Sequence, residues 1–485
     1  MGNWRCAFVP PNSQIPQFPN SNQIPQFQFL RKIMQNPTTS IGPLQTFRHG
    51  VHPEEFKELS CNSRIERMPF VEEYILPLGQ HIGAPSKPVV KEGQRVRRGE
   101  MIAEPGGFVS VALHSPVDGT VAAIDLFDQP NGHMAPGIKI KTDPFSTQKL
   151  AVSLPTPPEN LTTKEFIAAV QRAGLVGMGG AAFPAHVKFS IPEGKSCKYL
   201  MMNGCECEPF LTCDHRVMVE YADDLIDGCE ILHRFIPAEK VYIAVEANKP
   251  DAIVILREAA KKSKLDIEVV GLEVKYPQGA EKMMISAILG EEVPAGKLPL
   301  DVGTMVSNVG TIVAMSQYFR KGLPLIERVV TVSGTAVKRP ANVLVPIGTP
   351  MRQVVDYCGG LTHPSPRMLL GGPMMGAVQK NLDVPVVKGT SGILLLTDNE
   401  VQDINTLNCI RCGRCLDACP LFLNPARMGA LARKGLWEEM EEYNVLDCFE
   451  CGSCSFVCPS GIPLVQSFRV GKAMIRERKA REKEG

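Results

Sequence analysis

Cysteines near the carboxyl end of the chain repeat one spacing twice. Both runs, residues 409–420 and 448–459, have the pattern C-x2-C-x2-C-x3-C-P. This spacing is typical of paired [4Fe–4S] clusters, where three close thiolates hold one cluster and the fourth cysteine binds the other. Zinc sites use paired rather than tripled cysteines, so zinc ribbons and disulfides are disfavoured. We predict crossed ligation, with cluster one held by Cys409, Cys412, Cys415 and Cys458, and cluster two by Cys419, Cys448, Cys451 and Cys454.

Length and composition limit the remaining possibilities. The 485 residues are enough for several domains, and a net charge of +1 argues against a nucleic-acid partner. Oxygen-sensitive thiolate ligands fit a reducing compartment better than a secreted protein. No apolar run approaches the ~18 residues that span a bilayer, and the N-terminus lacks the apolar core of a signal peptide. We therefore expect no transmembrane segment in the chain, and any membrane attachment would go through partners.

The first half of the chain begins with two segments of different character. Residues 1–45 are rich in Pro, Asn and Gln, which predicts a disordered extension, and Met34 could be the true start. From about Ile75 to Thr142 the pattern changes to short β-like runs with tight-turn signals such as Asp118-Gly119, within a module predicted at 46–150. That layout resembles the barrel-sandwich hybrid fold of biotinyl and lipoyl domains. The turn region 104–108 has no lysine to carry a cofactor, so we interpret the module as structural or docking.

A glycine cluster follows a predicted amphipathic helix over 161–173. The run from Gly177 to Pro184 is rich in glycine and alanine, so its backbone can approach a phosphate and offer it N–H groups. The alternative interpretation is that this glycine cluster is a flexible interdomain loop and not a phosphate-binding site. The cluster is not a dinucleotide-binding fingerprint, because a helix rather than a strand precedes it.

A polar loop follows the predicted buried strand over 198–202. Asn203, Glu206 and Glu208 lie just beyond this strand, at the position where α/β proteins bind ligands. Three nearby cysteines could ligate a metal, but their spacing matches no usual site and favours buried thiols; they are Cys205, Cys207 and Cys213. A βαβ-like unit over 240–276 then leads to two further motifs, at 276–281 and 308–311.

Together these elements resemble the NADH-oxidising 51-kDa flavoprotein of respiratory complex I. That family combines G-x-G-G-A-x-F-P, N-x-x-E-x-E-P, Y-x-x-G-x-E and N-V-x-T elements around one FMN, and this sequence has all four, with Met178 and Cys205 departing from the family pattern. The resemblance implies that FMN is held by Gly177, Gly179, Gly180, Lys188, Asn203, Glu206, Gly279, Glu281, Asn308 and Thr311. It also implies that Phe183 and Glu208 lie toward NADH. No side chain is expected to act as a catalytic acid or base, because positioning nicotinamide over the flavin suffices for hydride transfer.

The order of modules extends the likeness. We predict a multidomain α/β and α+β chain with an N-terminal barrel-sandwich hybrid, a 51-kDa-like FMN/NADH domain, a β-grasp (SLBB-like) domain and a two-cluster ferredoxin-like helical domain. The predicted ranges after the first module are 151–325, 326–398 and 399–470, followed by a charged tail at 471–485. This order closely resembles the C subunits of Rnf electron-transport complexes.

The resemblance implies a peripheral, NADH-dependent subunit of a membrane-bound, ion-translocating NAD:ferredoxin oxidoreductase. A flavin takes two electrons from NADH and releases them singly to the clusters. The expected partners are the other Rnf subunits, especially the iron–sulfur B subunit, on the cytoplasmic face of the bacterial inner membrane. Two alternatives stay open: a soluble flavin/iron–sulfur NADH reductase with another acceptor such as cobalamin, and a non-catalytic docking scaffold. The pumped ion, sodium or proton, and the direction of electron flow are not predicted.

Overall fold

The computed structural model describes residues 41–151, 153–401 and 405–484. The predicted disordered extension therefore lies outside the described residues, apart from 41–45. In the described part of the chain, no helix is both long enough and apolar enough to cross a bilayer.

The first module consists of two small antiparallel sheets. One has the strand order β2-β8-β7-β4 and the other β3-β5-β6, and buried Tyr74, Ile102, Leu113 and Ile140 pack between them. The strands of these two sheets are β2 (Glu73–Pro77), β3 (Lys87–Pro88), β4 (Arg95–Val96), β5 (Met101–Glu104), β6 (Leu113–His114), β7 (Gly119–Asp128) and β8 (Met134–Thr142), whereas β1 (Ile65–Arg67) precedes them and belongs to the sheet of the third module. Two short sheets packed over one apolar core form the predicted barrel-sandwich hybrid.

The second module is built on a four-stranded parallel sheet with the order β11-β10-β9-β12. Its strands are continuous apolar runs because helices cover both faces. The strands are β9 (Tyr199–Gly204), β10 (Lys240–Glu246), β11 (Ile267–Leu272) and β12 (Thr304–Asn308). The helices are α1 (Thr163–Arg172), α2 (Ala185–Phe189), α3 (Cys213–Glu220), α4 (Ala222–Phe235), α5 (Pro250–Ala260), α6 (Glu281–Leu289) and α7 (Val309–Lys321).

The third module is a mixed sheet with one helix, α8 (Met351–Tyr357). The sheet order is β1-β14-β13-β17-β15-β16, so β1 reaches it from the front of the chain and pairs in parallel with β14. The remaining strands are β13 (Glu327–Ser333), β14 (Ala341–Pro346), β15 (Arg367–Leu370), β16 (Ala377–Gln379) and β17 (Gly392–Leu396). Residues 41–67 thus lie outside both sheets of the first module and pack on the second and third modules.

The last module is helical. Its helices are α9 (Arg414–Asp417), α10 (Pro425–Ala432), α11 (Trp437–Glu442), α12 (Ser453–Phe456) and α13 (Leu464–Glu484). The short helices α9 and α12 each follow a left-handed glycine within a cysteine run, and they pack against each other. Helix α13 runs without a break across residue 471, and Lys472 and Ile475, which lie beyond that residue, are buried.

Candidate flavin site and cluster cysteines

The predicted flavin elements meet at the carboxyl edge of the parallel sheet. The chain leaves β9 toward β10 on one side, while β12 lies on the other side of β9. Asn203 and Asn308 are register partners at the ends of β9 and β12. Ligands of open α/β sheets bind in the crevice at such a switch in strand order. The structure therefore brings three of the four motifs to one crevice, with residues 276–281 following β11 at the same edge.

The two asparagines hold the loops of this crevice. Asn203 Nδ2 donates to the Gly279 carbonyl at 2.8 Å, and its Oδ1 accepts the Cys205 N–H at 3.0 Å. Asn308 caps α7, since its Oδ1 accepts the Gly310 N–H at 2.8 Å. Its Nδ2 donates to Asp214 Oδ2 at 2.7 Å. These bonds tie the second motif to the third, and the fourth motif to helix α3.

The glycine loop lies beside the same crevice. The Met178 N–H donates to Thr311 Oγ1 at 2.9 Å, which fastens the loop to the start of α7. Gly179 and Gly180 are exposed, and Gly180 has a φ of +108° with open space where a Cβ would stand. An exposed backbone free of side chains, at the end of a sheet, fits the phosphate of a flavin nucleotide. Phe183 is half-buried, and its carbonyl accepts the Gly177 N–H at 2.8 Å.

A cation stands at this crevice. Lys188 forms an ion pair with Glu281, and its Nζ also donates to the Val306 carbonyl at 2.8 Å. Both side chains are partly exposed, so the pair is open to an incoming anionic group. The two residues were predicted on different motifs, and the structure places them in direct contact.

The predicted glutamates bind protein N–H groups. Glu206 caps α3, with Oε1 accepting the Asp214 N–H at 2.9 Å and Oε2 accepting the His215 N–H at 3.2 Å. Glu208 accepts the N–H groups of Met374 and Met375, each at 2.9 Å, from a loop of the third module. Both carboxylates therefore fix surrounding backbone.

Burial makes two carboxyl groups of the site weak acids. Desolvation raises the pKa of Glu208 to about 7, against the stabilising Met374 and Met375 N–H groups. Desolvation, followed by repulsion from Glu206, raises the pKa of Asp214 to about 7. Burial therefore favours the protonated form of both groups.

The cysteines of the flavin loop are buried thiols. Burial raises the pKa of Cys205 and Cys213 well above the usual range, and also raises that of Cys207. In the part of the chain that the structure describes, no three His, Cys, Asp or Glu side chains converge on a position for a single metal ion. A cubane cluster needs no such convergence, because each cysteine binds a different iron.

The first predicted cluster set lies near the surface. The pKa of Cys415 is raised by burial and then by the neighbouring Cys458, Cys409 and Cys412 thiols. Cys409 and Cys412 are exposed, while Cys415 and Cys458 are half-buried. Cys458 thus comes from the second run to join three cysteines of the first.

The second set lies deeper. The pKa of Cys454 is raised by burial, then by Cys451, Cys448 and Cys419, and last by Cys415 of the first set. Cys419, Cys451 and Cys454 are buried, and Cys448 is half-buried. Cys419 joins this set from the first run. The structure therefore brings the cysteines together in the two crossed sets, and cluster ligation by each thiol stays a prediction.

The deeper set faces the flavin crevice. The Tyr276 hydroxyl donates to the Cys451 carbonyl at 2.6 Å, across the contact between the second and fourth modules. Cys207 of the flavin loop and Met374 pack in the same apolar cluster as Tyr276 and Cys451. The Cys451 set thus packs against the flavin loops.

Sequence reasoning missed Lys57, which lies before the first sheet. Its ammonium is buried and donates to the carbonyls of Glu206, Glu208 and Leu211 at 2.7, 3.0 and 2.7 Å. Burial lowers the pKa of Lys57. A lone lysine far from the loop in sequence carries no motif, so only the fold reveals this contact.

Arg328 of β13 was also missed. It is buried, and its guanidinium donates to the carbonyls of Met178 and Lys388 at 3.3 and 2.5 Å. Through Arg328, the third module therefore makes a hydrogen bond to the glycine loop. None of the sequence motifs includes Arg328, so only the fold reveals this buried cation.

Four protein-family models match successive parts of the chain. They are the RnfC barrel sandwich hybrid domain at residues 45–144, the Nuo51 FMN-binding domain at 170–317, the SLBB domain at 329–378 and the 4Fe-4S dicluster domain at 405–462. These matches confirm the predicted fold class and the predicted FMN and [4Fe–4S] cofactors. The fold and the site define an electron-transfer flavoprotein with iron–sulfur clusters.

Curated relatives match nearly the whole chain. The chain is 44% identical to the C subunit of the proton-translocating ferredoxin:NAD(+) oxidoreductase complex of Clostridium ljungdahlii, covering 82% of this chain and 86% of that protein. It is 43% identical to the C subunit of the ion-translocating oxidoreductase complex of Rhodobacter capsulatus, covering 92% and 86%. It is 40% identical to the C subunit of the Na(+)-translocating ferredoxin:NAD(+) oxidoreductase complex of Acetobacterium woodii, covering 89% and 97%. The chain belongs to the C subunit family of ion-translocating oxidoreductase (Rnf) complexes, as its motifs predicted.

Proposed function

We propose that this chain is the NADH-side electron-transfer subunit of an ion-translocating NAD:ferredoxin oxidoreductase complex. The observation that carries the proposal is the direct contact between the flavin crevice and the deeper cysteine set, through Tyr276 and Cys451. A chain that holds a flavin site against cluster cysteines can pass electrons internally.

The chain's own residues act by holding and orienting. The exposed backbone at Gly179 and Gly180 and the cation of Lys188 would hold the FMN phosphate end, while the loops fixed by Asn203 and Asn308 form the walls. When bound, FMN exchanges electron pairs with a nicotinamide and single electrons with clusters. No acid–base residue is required, since fixed alignment of the two ring systems accelerates hydride transfer.

The surface set supports an exchange of electrons with a partner. Cys409 and Cys412 are exposed, and so are the apolar side chains of Leu407, Ile410 and Phe456 on the same module. We assign this face to another subunit of the complex, with the iron–sulfur B subunit as the proposed partner. The relatives' names include both proton and sodium translocation, so the proposal covers ion translocation without naming the ion.

Membrane attachment would go through those partners. We place the chain at the cytoplasmic face of the bacterial inner membrane, where NADH is available. This placement is supported by the chain's membership in the C subunit family.

The test combines activity with partner capture. We expect anaerobically purified native protein to reduce ferricyanide with NADH and to co-purify with membrane subunits carrying iron–sulfur centres. A cobalamin-linked partner would instead make the chain a soluble reductase. Bound FMN without any NADH-dependent ferricyanide reduction would make it a docking scaffold.

A further inference from the structure

Tyr276 is fixed by its backbone at the edge of the flavin crevice. Its N–H and carbonyl both pair with Val51, each at 2.8 Å, in the segment ahead of the first sheet. Three residues later, the Gly279 carbonyl accepts the Asn203 amide at 2.8 Å. The tyrosine backbone therefore belongs to the same rigid frame as the flavin loops.

The side chain of Tyr276 extends from the flavin loops to the cysteine runs. It is 1% exposed, and its ring packs with Ala418 and Cys451 from the two different runs. The hydroxyl donates to the Cys451 carbonyl at 2.6 Å.

Helix α13 also contacts the second cysteine run. Lys472 of α13 donates to the Cys448 carbonyl and pairs with Glu450 at 2.8 Å. Two carbonyls of one run, at Cys448 and Cys451, thus accept from side chains on two different modules. Tyr276 is the donor that ties the run to the flavin side.

We propose that Tyr276 is a positioning residue for electron transfer between the flavin and the cluster of Cys419, Cys448, Cys451 and Cys454, a role that rests on the proposed function. In each transfer, one electron leaves the reduced flavin and reduces the cluster by one, and no bond to the protein forms or breaks. The rate then depends on the distance and orientation of the two groups, together with their potentials and the reorganisation around them. The hydroxyl contributes by holding Cys451 at a fixed distance from the frame that carries Gly279.

The test is the Tyr276→Phe variant of the full chain, which keeps the ring and removes one donor. Tyr318→Phe is the matched control, because Tyr318 is a partly buried tyrosine of α7 whose hydroxyl makes no hydrogen bond among the described residues. Both proteins are reconstituted anaerobically and assayed for FMN and iron. Laser-flash photoreduction of the bound flavin then starts the reaction without NADH, so the readout does not depend on nicotinamide binding.

We expect Tyr276→Phe to keep FMN and iron, to slow cluster reduction about tenfold or more, and to shift the EPR signal of one cluster, because small displacements are costly at a positioned site. Wild-type speed with full cofactors, or equal slowing in Tyr318→Phe, would overturn the role. Loss of FMN and iron together would make Tyr276 a folding residue and would also overturn it. If the wild-type flavin passes electrons to the clusters but NADH cannot reduce it, the proposed function fails while the role of Tyr276 stands.

Discussion

The Glu208 carboxylate accepts the Met374 N–H at 2.9 Å, and this contact joins the flavin loop to the third module. The loop at 371–376 also packs against the second cysteine run. The Met374 carbonyl lies so close to Gly452 that a Cβ added at this glycine would be only 2.9 Å from it. One loop thus lies between the nucleotide side of the crevice and the deeper cysteine set. Glu208 was predicted to face NADH, and the structure shows that both its oxygens are already engaged.

We predict that Glu208→Gln flattens the pH dependence of stability. The raised pKa of Glu208, about 7 against an ordinary 4.5, means that the folded state binds more protons than the unfolded state between those values. Stability therefore falls as the pH rises through this window, by up to about 3 kcal/mol. The melting temperature of cofactor-free protein should drop less between pH 5 and pH 8 in the variant than in the wild type. A residual drop is expected from Asp214, whose pKa is raised in the same direction.

Exposed Glu58→Gln is the control for that comparison. It should follow the wild-type curve. A Glu208→Gln curve as steep as the wild-type curve would show that Glu208 is ionised throughout.

Lys57→Met should weaken FMN binding without touching the crevice. The variant keeps the aliphatic stem but removes the donor to three carbonyls, two of them in buried contacts, at a cost of about 1–3 kcal/mol for each buried group left unpaired. The loop bearing Glu206 and Glu208 should loosen, and the Kd for FMN should rise about tenfold or more. Fluorescence titration of FMN measures this, with exposed Lys91→Met as control. An unchanged Kd would limit Lys57 to a role in stability.

Cys419→Ala should damage the cluster of the second run. Crossed ligation places Cys419 with Cys448, Cys451 and Cys454, and the structure brings these thiols together. EPR of the reduced, reconstituted protein should lose the signal of that cluster and keep the other. Buried Cys229→Ala, on α4, should leave both signals intact. Selective loss of the Cys409 cluster would contradict the crossed assignment.

Gln278→Met should stabilise the cofactor-free protein and weaken FMN binding. Gln278 is fully buried beside Gly279, and both polar atoms of its amide lack a partner among the described residues. An unpaired buried amide costs about 1–3 kcal/mol, which methionine avoids at similar volume. If a bound cofactor satisfies the amide, the Kd for FMN should rise about tenfold in the variant. A higher melting temperature with an unchanged Kd would assign Gln278 to packing alone.

The sequence predicted the parts of the site that local chemistry dictates. The cysteine spacing, the glycine loop and the asparagines at strand ends each follow from rules about a few neighbouring residues. The parallel sheet then brings Asn203 and Asn308 into register without further information. The cysteine spacing indicated the [4Fe–4S] clusters, and the family resemblance supplied FMN and NADH.

Long-range contacts could not be predicted in this way. Strand β1 pairs with β14 across most of the chain, and Lys57 reaches the flavin loop from before the first sheet. Neither contact has a periodicity or a motif, since both depend on how separate modules pack. The engagement of Glu208 by Met374 is of the same kind.

The central claim is that one chain connects NAD chemistry to both clusters through FMN. The most direct test reduces the reconstituted protein with dithionite, removes the excess and mixes it rapidly with NAD+ under argon. We predict that NADH absorbance appears while the cluster signals disappear, and that FMN-depleted protein with full iron shows neither change. Clusters that stay reduced in the presence of NAD+ and bound FMN would contradict the account.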